Sequence, residues 1–129
     1  LLRLTTAHDV GTVMSPVGHQ GQINGGVVQG IGGALYEECL YDERGQYLNA
    51  TMADYLVPMA GEMPDIEVGH VETPTKDSEL GAKGVGEAGT TGAPAAIMNA
   101  INDAIQPFGK HVSDMPFTPE RILKALGKV

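Results

Sequence analysis

The chain reads as an α+β domain on three observations. Two short stretches, Leu1–Ala7 and Ile66–Glu72, alternate apolar and polar residues at the period of two that suits half-buried strands. One long stretch, from Glu87 to Phe108, carries apolar residues at helical spacing. Strands and helices then mix along the chain without the strict βαβ alternation of a doubly wound sheet. The 129 residues, 42% apolar and 19% charged, amount to one globular domain, taken as residues 1–129. Leu1 stands inside an alternating run (Leu2, Leu4), so the expectation is a single-domain fragment of a longer chain.

The elements follow in order. Leu1–Ala7 is a strand, and Asp9 to Gly18, with Pro16, is a turn-rich loop. Gly21 to Cys39 places Ile23, Val27, Ile31, Ala34 and Leu35 close to a helical repeat. That helix carries glycine at 21, 25, 26, 30, 32 and 33. Each interior glycine costs about 0.5–1 kcal/mol relative to alanine, so something must press close to it, either another backbone or a bulky ligand. Leu40 to Leu48 is a hairpin turning at Asp42–Gly45, with Tyr41 and Tyr47 on its arms. Thr51 to Ala60 fits neither pattern, and Pro58 and Pro64 interrupt it. The strand at Ile66–Glu72 sets Ile66, Val68 and His70 on one face, and a polar loop runs from Thr73 to Lys83. Ala93, Ala96, Ile97, Ala100, Ile101, Ala104, Ile105 and Phe108 form one apolar stripe on the next helix. A last short helix runs from Pro119 to about Leu126, with Thr118 as its N-cap.

Composition excludes several classes. A net charge of −8 argues against nucleic acid, which needs clustered Lys and Arg to meet phosphates. No apolar run approaches the roughly 20 residues of a membrane span, and no signal-peptide pattern opens the chain. The single cysteine, Cys39, excludes an intrachain disulfide or an iron–sulfur cluster held by this chain alone, and it points to a reducing, cytoplasmic compartment. Cys39 reads as a small core residue closing a helix, and the six methionines as core filler. His8, His19, His70 and His111 share neither a helix face nor a metal-ligand spacing, so no metal ligands are assigned.

The stretch Gly81-Ala-Lys-Gly-Val-Gly-Glu-Ala-Gly-Thr90 carries the functional signal. It sets Glu87 at the mouth of an Ala-rich helix, directly after a glycine loop with little side-chain cover. Glycine lets backbone approach a bound group, and amides at a helix start can hold an anion. Glu87 is then the one reactive side chain facing whatever binds, with Lys83 beside it either solvated or paired with an anion. Gly84-Val-Gly-Glu-Ala-Gly89 matches G-x-G-x-x-G formally, but the dinucleotide fingerprint must follow a buried strand and here follows a polar loop.

Asp9-Val-Gly11, Gly21-Gln22 with Gly25-Gly26, Gln29-Gly-Ile-Gly32, Ala34-Leu35, Gly84-Val-Gly-Glu-Ala-Gly-Thr90 and Asp114-Met-Pro-Phe-Thr-Pro-Glu120 occur in that order. The ordered set, from about Ala7 to Leu126, resembles the C-terminal part of the molybdenum-binding subunit of the xanthine dehydrogenase/aldehyde oxidase family. The resemblance implies part of that family's molybdenum-cofactor-binding domain. It implies that Glu87 is the general base for a Mo–OH group. It also implies that Gln22 contacts the molybdopterin, and that the backbone of Lys83, Gly84, Val85 and Gly86 lies along it. Two departures, Ser15 before Pro16 and His19-Gln20 before the Gly-Gln pair, put local loop geometry in doubt.

The implied cofactor is molybdopterin in its cytosine dinucleotide form, carrying molybdenum. The implied activity is oxidative hydroxylation of an electron-poor carbon in an aldehyde, purine or N-heterocycle, with oxygen from water. 2Fe–2S clusters and FAD belong on other subunits or domains, which become partners along with the upstream part of the molybdenum subunit and a small-molecule substrate. Oligomerisation is expected, because the stripe from Ala93 to Phe108 is partly exposed without those parts. The alternative is a catalytically inactive assembly module, or a small-molecule-binding module using the Gly84–Gly89 loop.

Overall fold

The computed structural model describes residues 1–129, whose contacts gather into two compact units. The first joins Leu1–Gly30 to Ala60–Gly92, and the second joins Ile31–Met59 to Ala93–Val129.

In the first unit, strands β1 (Arg3–Asp9) and β2 (Asp65–Val71) pair in parallel, Arg3 opposite Asp65 through Asp9 opposite Val71. Alternation places the inner face: on β1 Leu4 is buried and Thr6 and His8 are half-buried between exposed neighbours, and on β2 Ile66 and Val68 are half-buried, with Gly69 half-buried beside Val68. Helix α1 (Pro16–Leu35) begins five residues before the Gly21 that its apolar repeat suggests. The reason is a start signal that reads equally as a turn. Pro16 takes the first helical position, where its missing N–H costs nothing, and Ser15 Oγ accepts the Gly18 N–H at 3.2 Å. Ile23 and Val27 fill the core beside Leu4 and Val10.

Part of the glycine burden of α1 is explained by backbone contact. A Cβ on Gly26 would lie 3.0 Å from Gly89 Cα, at the start of helix α2 (Ala88–Ile105). A Cβ on Gly89 would lie 2.4 Å from the Ile23 carbonyl oxygen. Thr90 Oγ1 donates to the Gly26 carbonyl oxygen at 3.0 Å and fastens the same crossing. Gly21 and Gly25, by contrast, have open space where a Cβ would stand.

The second unit buries Ile31, Ala34, Ala93, Ile97, Ile105 and Phe117, and the Phe117 N–H donates to the Ala34 carbonyl at 2.6 Å. Helix α1 stops at Leu35, four residues short of Cys39, where the N–H groups of Tyr36 and Glu37 both donate to the Gly32 carbonyl. Cys39 is therefore neither helical nor core; it is exposed, with its thiol donating to the Tyr47 hydroxyl. The hairpin forms as expected. Tyr41 bridges Tyr47, and Asp42 Oδ1 accepts the N–H groups of Arg44 and Gln46 at 2.8 Å each. Gly45, at φ 80°, takes the left-handed position of the turn. Buried Asn49 ties the hairpin down, accepting the Leu40 N–H and donating to the Glu38 carbonyl.

Helix α3 (Pro119–Ala125) starts at the expected cap, with Thr118 Oγ1 accepting the Arg121 N–H at 3.3 Å. Arg121 bonds the Pro116 carbonyl and pairs with Glu38. The apolar stripe of α2 is narrower than its spacing suggests. Ala93, Ile97 and Ile105 are buried and Ile101 is half-buried, whereas Ala96, Ala100, Ala104 and Phe108 are exposed. The line of every fourth residue lies deepest, flanked by half-buried Pro94, Met98 and Asn102. The methionines are not core filler either: Met14, Met52, Met59 and Met115 are exposed.

Candidate functional site

The functional residues gather in the first unit, around the loop that leads into α2. Its entrance is fixed by Asp9, at the end of β1. One carboxylate oxygen of Asp9 accepts the N–H groups of Gly11 and Thr73 at 3.0 Å each, and the other meets the Lys83 ammonium at 3.1 Å. The Lys83 N–H donates to the Val10 carbonyl at 2.9 Å, and the Thr12 N–H to the Gly81 carbonyl at 3.2 Å. Gly11 (φ 63°) and Gly81 (φ 69°) are both left-handed, and a Cβ on Gly11 would stand 2.2 Å from the Gly81 carbonyl oxygen. No other residue type fits either position. Lys83 is thus held by Asp9, and its side chain is a strut of the loop.

The Thr73 hydroxyl, the Gly11 and Thr73 amides and the Lys83 ammonium hold the Asp9 carboxyl well below the usual carboxylate range. A depressed folded-state value means stability that is complete above the ordinary 3.8 and is lost as pH falls through the folded value. Asp9→Asn is therefore expected to destabilise the protein at neutral pH. The gap between variant and wild-type unfolding midpoints should then shrink toward pH 2. A gap that stays constant with pH would show that the Asp9 charge contributes nothing.

Beyond Lys83 the loop is bare. Gly84 and Gly86 have open space where side chains would be, and no hydrogen bond within the chain takes up the N–H groups of Gly84, Val85, Gly86 or Glu87. Gln22, on the first turns of α1, reaches across and donates through Nε2 to the Gly86 carbonyl at 2.8 Å. Glu87 follows immediately, at the residue before α2, where its carbonyl accepts the N–H groups of Thr90 and Thr91. Its carboxylate is exposed and makes no hydrogen bond or ion pair within the chain.

All six residues singled out from the sequence (Gln22, Lys83, Gly84, Val85, Gly86 and Glu87) therefore lie in one place. Two residues of this site escaped the sequence reading as site residues. Asp9 and Thr90 both stand in the quoted motifs, Asp9-Val-Gly11 and Gly84 to Thr90, but neither motif says what its side chain bonds. A cavity of about 240 Å³ borders the loop, lined by Val10, Val13, Met14, His19 and Val85. The His19 ring meets His70 edge-on, with centroids 5.2 Å apart. No three His, Cys, Asp or Glu side chains converge as a metal-ligand set.

The donor set suits a flat, acceptor-rich, anionic organic group. Four successive unclaimed amides and open glycine positions on both the loop and α1 let such a group lie against backbone. Fold and site together define a cofactor-binding domain in which one free carboxylate follows directly on a strip of unclaimed amides. The family model of the molybdopterin cofactor-binding domain matches residues 1–64. The chain is 42% identical over 123 residues to the nicotine 6-hydroxylase large subunit of Paenarthrobacter nicotinovorans. It is 48% identical over 123 residues to the 6-hydroxypseudooxynicotine dehydrogenase complex subunit gamma of the same organism. Each match takes in 95% of this chain and 15% of the relative, so the chain spans about 15% of the length of these curated relatives. Among solved structures, quinoline 2-oxidoreductase from Pseudomonas putida 86 superposes with a TM-score of 0.92. That match is 40% identical, over 96% of this chain and 16% of the other. The chain belongs to the molybdenum-binding large subunits of the xanthine dehydrogenase/aldehyde oxidase family.

Proposed function

We propose that the protein carrying this segment is a molybdenum hydroxylase in which Glu87 is the general base. The observation that supports this most is the Gln22–Gly86 bond, which sets an unpartnered carboxylate beside a strip of unclaimed amides. When bound, molybdopterin with its molybdenum supplies two-electron redox chemistry at this place. The chain's own residues supply position and proton transfer. The amides of Gly84, Val85 and Gly86 receive acceptor atoms of the cofactor, and Gln22 keeps its amide oxygen and one N–H free for the same purpose. Lys83 acts through its backbone, since Asp9 holds its side chain. Glu87 takes up the proton released when oxygen from water bonds to the substrate carbon.

In balance, a C–H bond and one water become a C–OH group, two protons and two electrons. The two electrons must leave through iron–sulfur and flavin centres, which we place on partner subunits or domains, and the cofactor we propose is the cytosine dinucleotide form. Nicotine and quinoline, named in two of the relatives, are N-heterocycles, which puts that class ahead of aldehydes and purines as substrate.

The test is purification of the full-length protein with its partners, followed by molybdenum and nucleotide analysis and turnover on a panel of N-heterocycles, aldehydes and purines. About one molybdenum and one CMP released per protein, with water-derived oxygen in the product, is the expected result. A protein that carries a flavin or nicotinamide on this segment and no molybdenum would overturn the proposal.

A further inference from the structure

We propose that Gln22 is a positioning residue that aims Glu87 by gripping the Gly86 carbonyl, a role additional to any contact it makes with the cofactor. The peptide unit is planar and trans, so the Gly86 C=O and the Glu87 N–H point in opposite directions from one rigid plate. Fixing the carbonyl fixes that plate, and with it the axis about which Glu87 leaves the backbone. Gln22 Nε2 makes this bond at 2.8 Å.

Nothing else restrains the plate from outside the loop. Between the Lys83 N–H, which is tied to Val10, and the Glu87 carbonyl, which accepts the N–H groups of Thr90 and Thr91, the remaining hydrogen bond is internal, from the Ala88 N–H to the Val85 carbonyl at 3.2 Å. Gly84 and Gly86 add no steric restraint, since both face open space. The Glu87 carbonyl is held by α2, but the two glycines flanking Val85 leave the Gly86–Glu87 plate free to pivot at its loop end unless a side chain holds it.

Gln22 is well placed to be that side chain because its own helix is fixed. Four residues on, Gly26 packs backbone to backbone against Gly89, and Thr90 Oγ1 bonds the Gly26 carbonyl at 3.0 Å. The base and its guide are therefore braced against each other at both ends: through Gln22–Gly86 on one side of Glu87 and through Gly26–Gly89–Thr90 on the other.

This role rests on Glu87 being the base of the proposed reaction, and the experiment separates the two ideas. Gln22→Met keeps the length of the side chain and removes the donor. It would be compared with wild type and Glu87→Gln in the full-length complex, with kcat expressed per molybdenum. Deuterium exchange at the Ala88 amide would be followed in the metal-free protein as a readout independent of the cofactor. In Gln22→Met, kcat per molybdenum should fall about 10–100-fold through misplacement of the base, with KM held within roughly twofold. Exchange at Ala88 should rise about tenfold as the loop loosens. Unchanged exchange with unchanged kcat per molybdenum, the loss being confined to molybdenum content, would reduce Gln22 to a cofactor ligand and overturn the proposal. If Gln22→Met loads no metal, Ala88 exchange decides alone: a rise supports the grip and no change overturns it. Full turnover in Glu87→Gln would overturn both this role and the reading beneath it, whereas an inactive Glu87→Gln beside a fully active Gln22→Met sinks this role only.

Discussion

Glu87→Gln in the complete enzyme is expected to lower kcat by about 10²–10⁴-fold, the range a positioned general base contributes. Glutamine keeps the shape and the hydrogen-bonding reach of the side chain and removes only its capacity to take up a proton. The Glu87 carboxylate is exposed and bonds no other group of the chain, so the substitution disturbs no folded contact. A stability change within about 0.5 kcal/mol and an unchanged molybdenum content are expected, as for surface positions generally. Glu87→Asp retains a base but withdraws it by one methylene, and its kcat should fall between the two. Steady-state kinetics normalised to molybdenum would check the series. Wild-type kcat in Glu87→Gln would remove Glu87 from the chemistry, and equal losses in Glu87→Asp and Glu87→Gln would show that a carboxylate withdrawn by one methylene serves no better than none.

Much of the fold was legible because local signals agreed with the final packing. The alternation of Leu4 with polar neighbours, the Thr118–Pro119 helix start and the Asp42–Gly45 turn each name one structure only. The failures lie where one residue type carries two meanings. Pro16 stops a helix from the inside but starts one from the outside, and only the Ser15 hydroxyl on the Gly18 N–H decides between them. Helical spacing in α2 counts alanines at 96, 100 and 104 as apolar, yet a methyl group buries too little area to choose a face, and all three are exposed. The parallel pairing of β1 with β2 has no local signature at all.

For the site, the glycine loop and Glu87 were readable because both depend on neighbouring residues. The contact that makes them a site was not. Gln22 and Gly86 stand 64 positions apart, and no spacing rule links a glutamine on one helix to a carbonyl before another. The family resemblance assigned both residues to one cofactor but said nothing of a bond between them. The excess glycine in α1 divides in the same way. Gly26 is needed by a neighbouring backbone, whereas Gly21 and Gly25 answer to nothing in the chain and remain open to a bound group.

Gly89→Ala is expected to be strongly damaging, and Gly92→Ala, one turn later on the same helix, its harmless control. At Gly89 the new Cβ would lie 2.4 Å from the Ile23 carbonyl oxygen, 2.9 Å from the Val27 nitrogen and 3.1 Å from Gly26 Cα. All three are backbone atoms of α1, so no side chain can turn aside to make room. Relief requires the two helices to part, which exposes Ile23 and Val27 and stretches the Thr90–Gly26 bond. A loss of about 3 kcal/mol is expected, at the upper end of overpacking costs. Gly92 meets nothing within 4 Å, and alanine there should stabilise the helix by about 0.5–1 kcal/mol through its lower backbone entropy loss. Denaturant unfolding of the two variants beside wild type measures both. If Gly89→Ala proves as stable as Gly92→Ala, the helices do not cross in backbone contact, and the brace that holds Glu87 opposite Gln22 is absent.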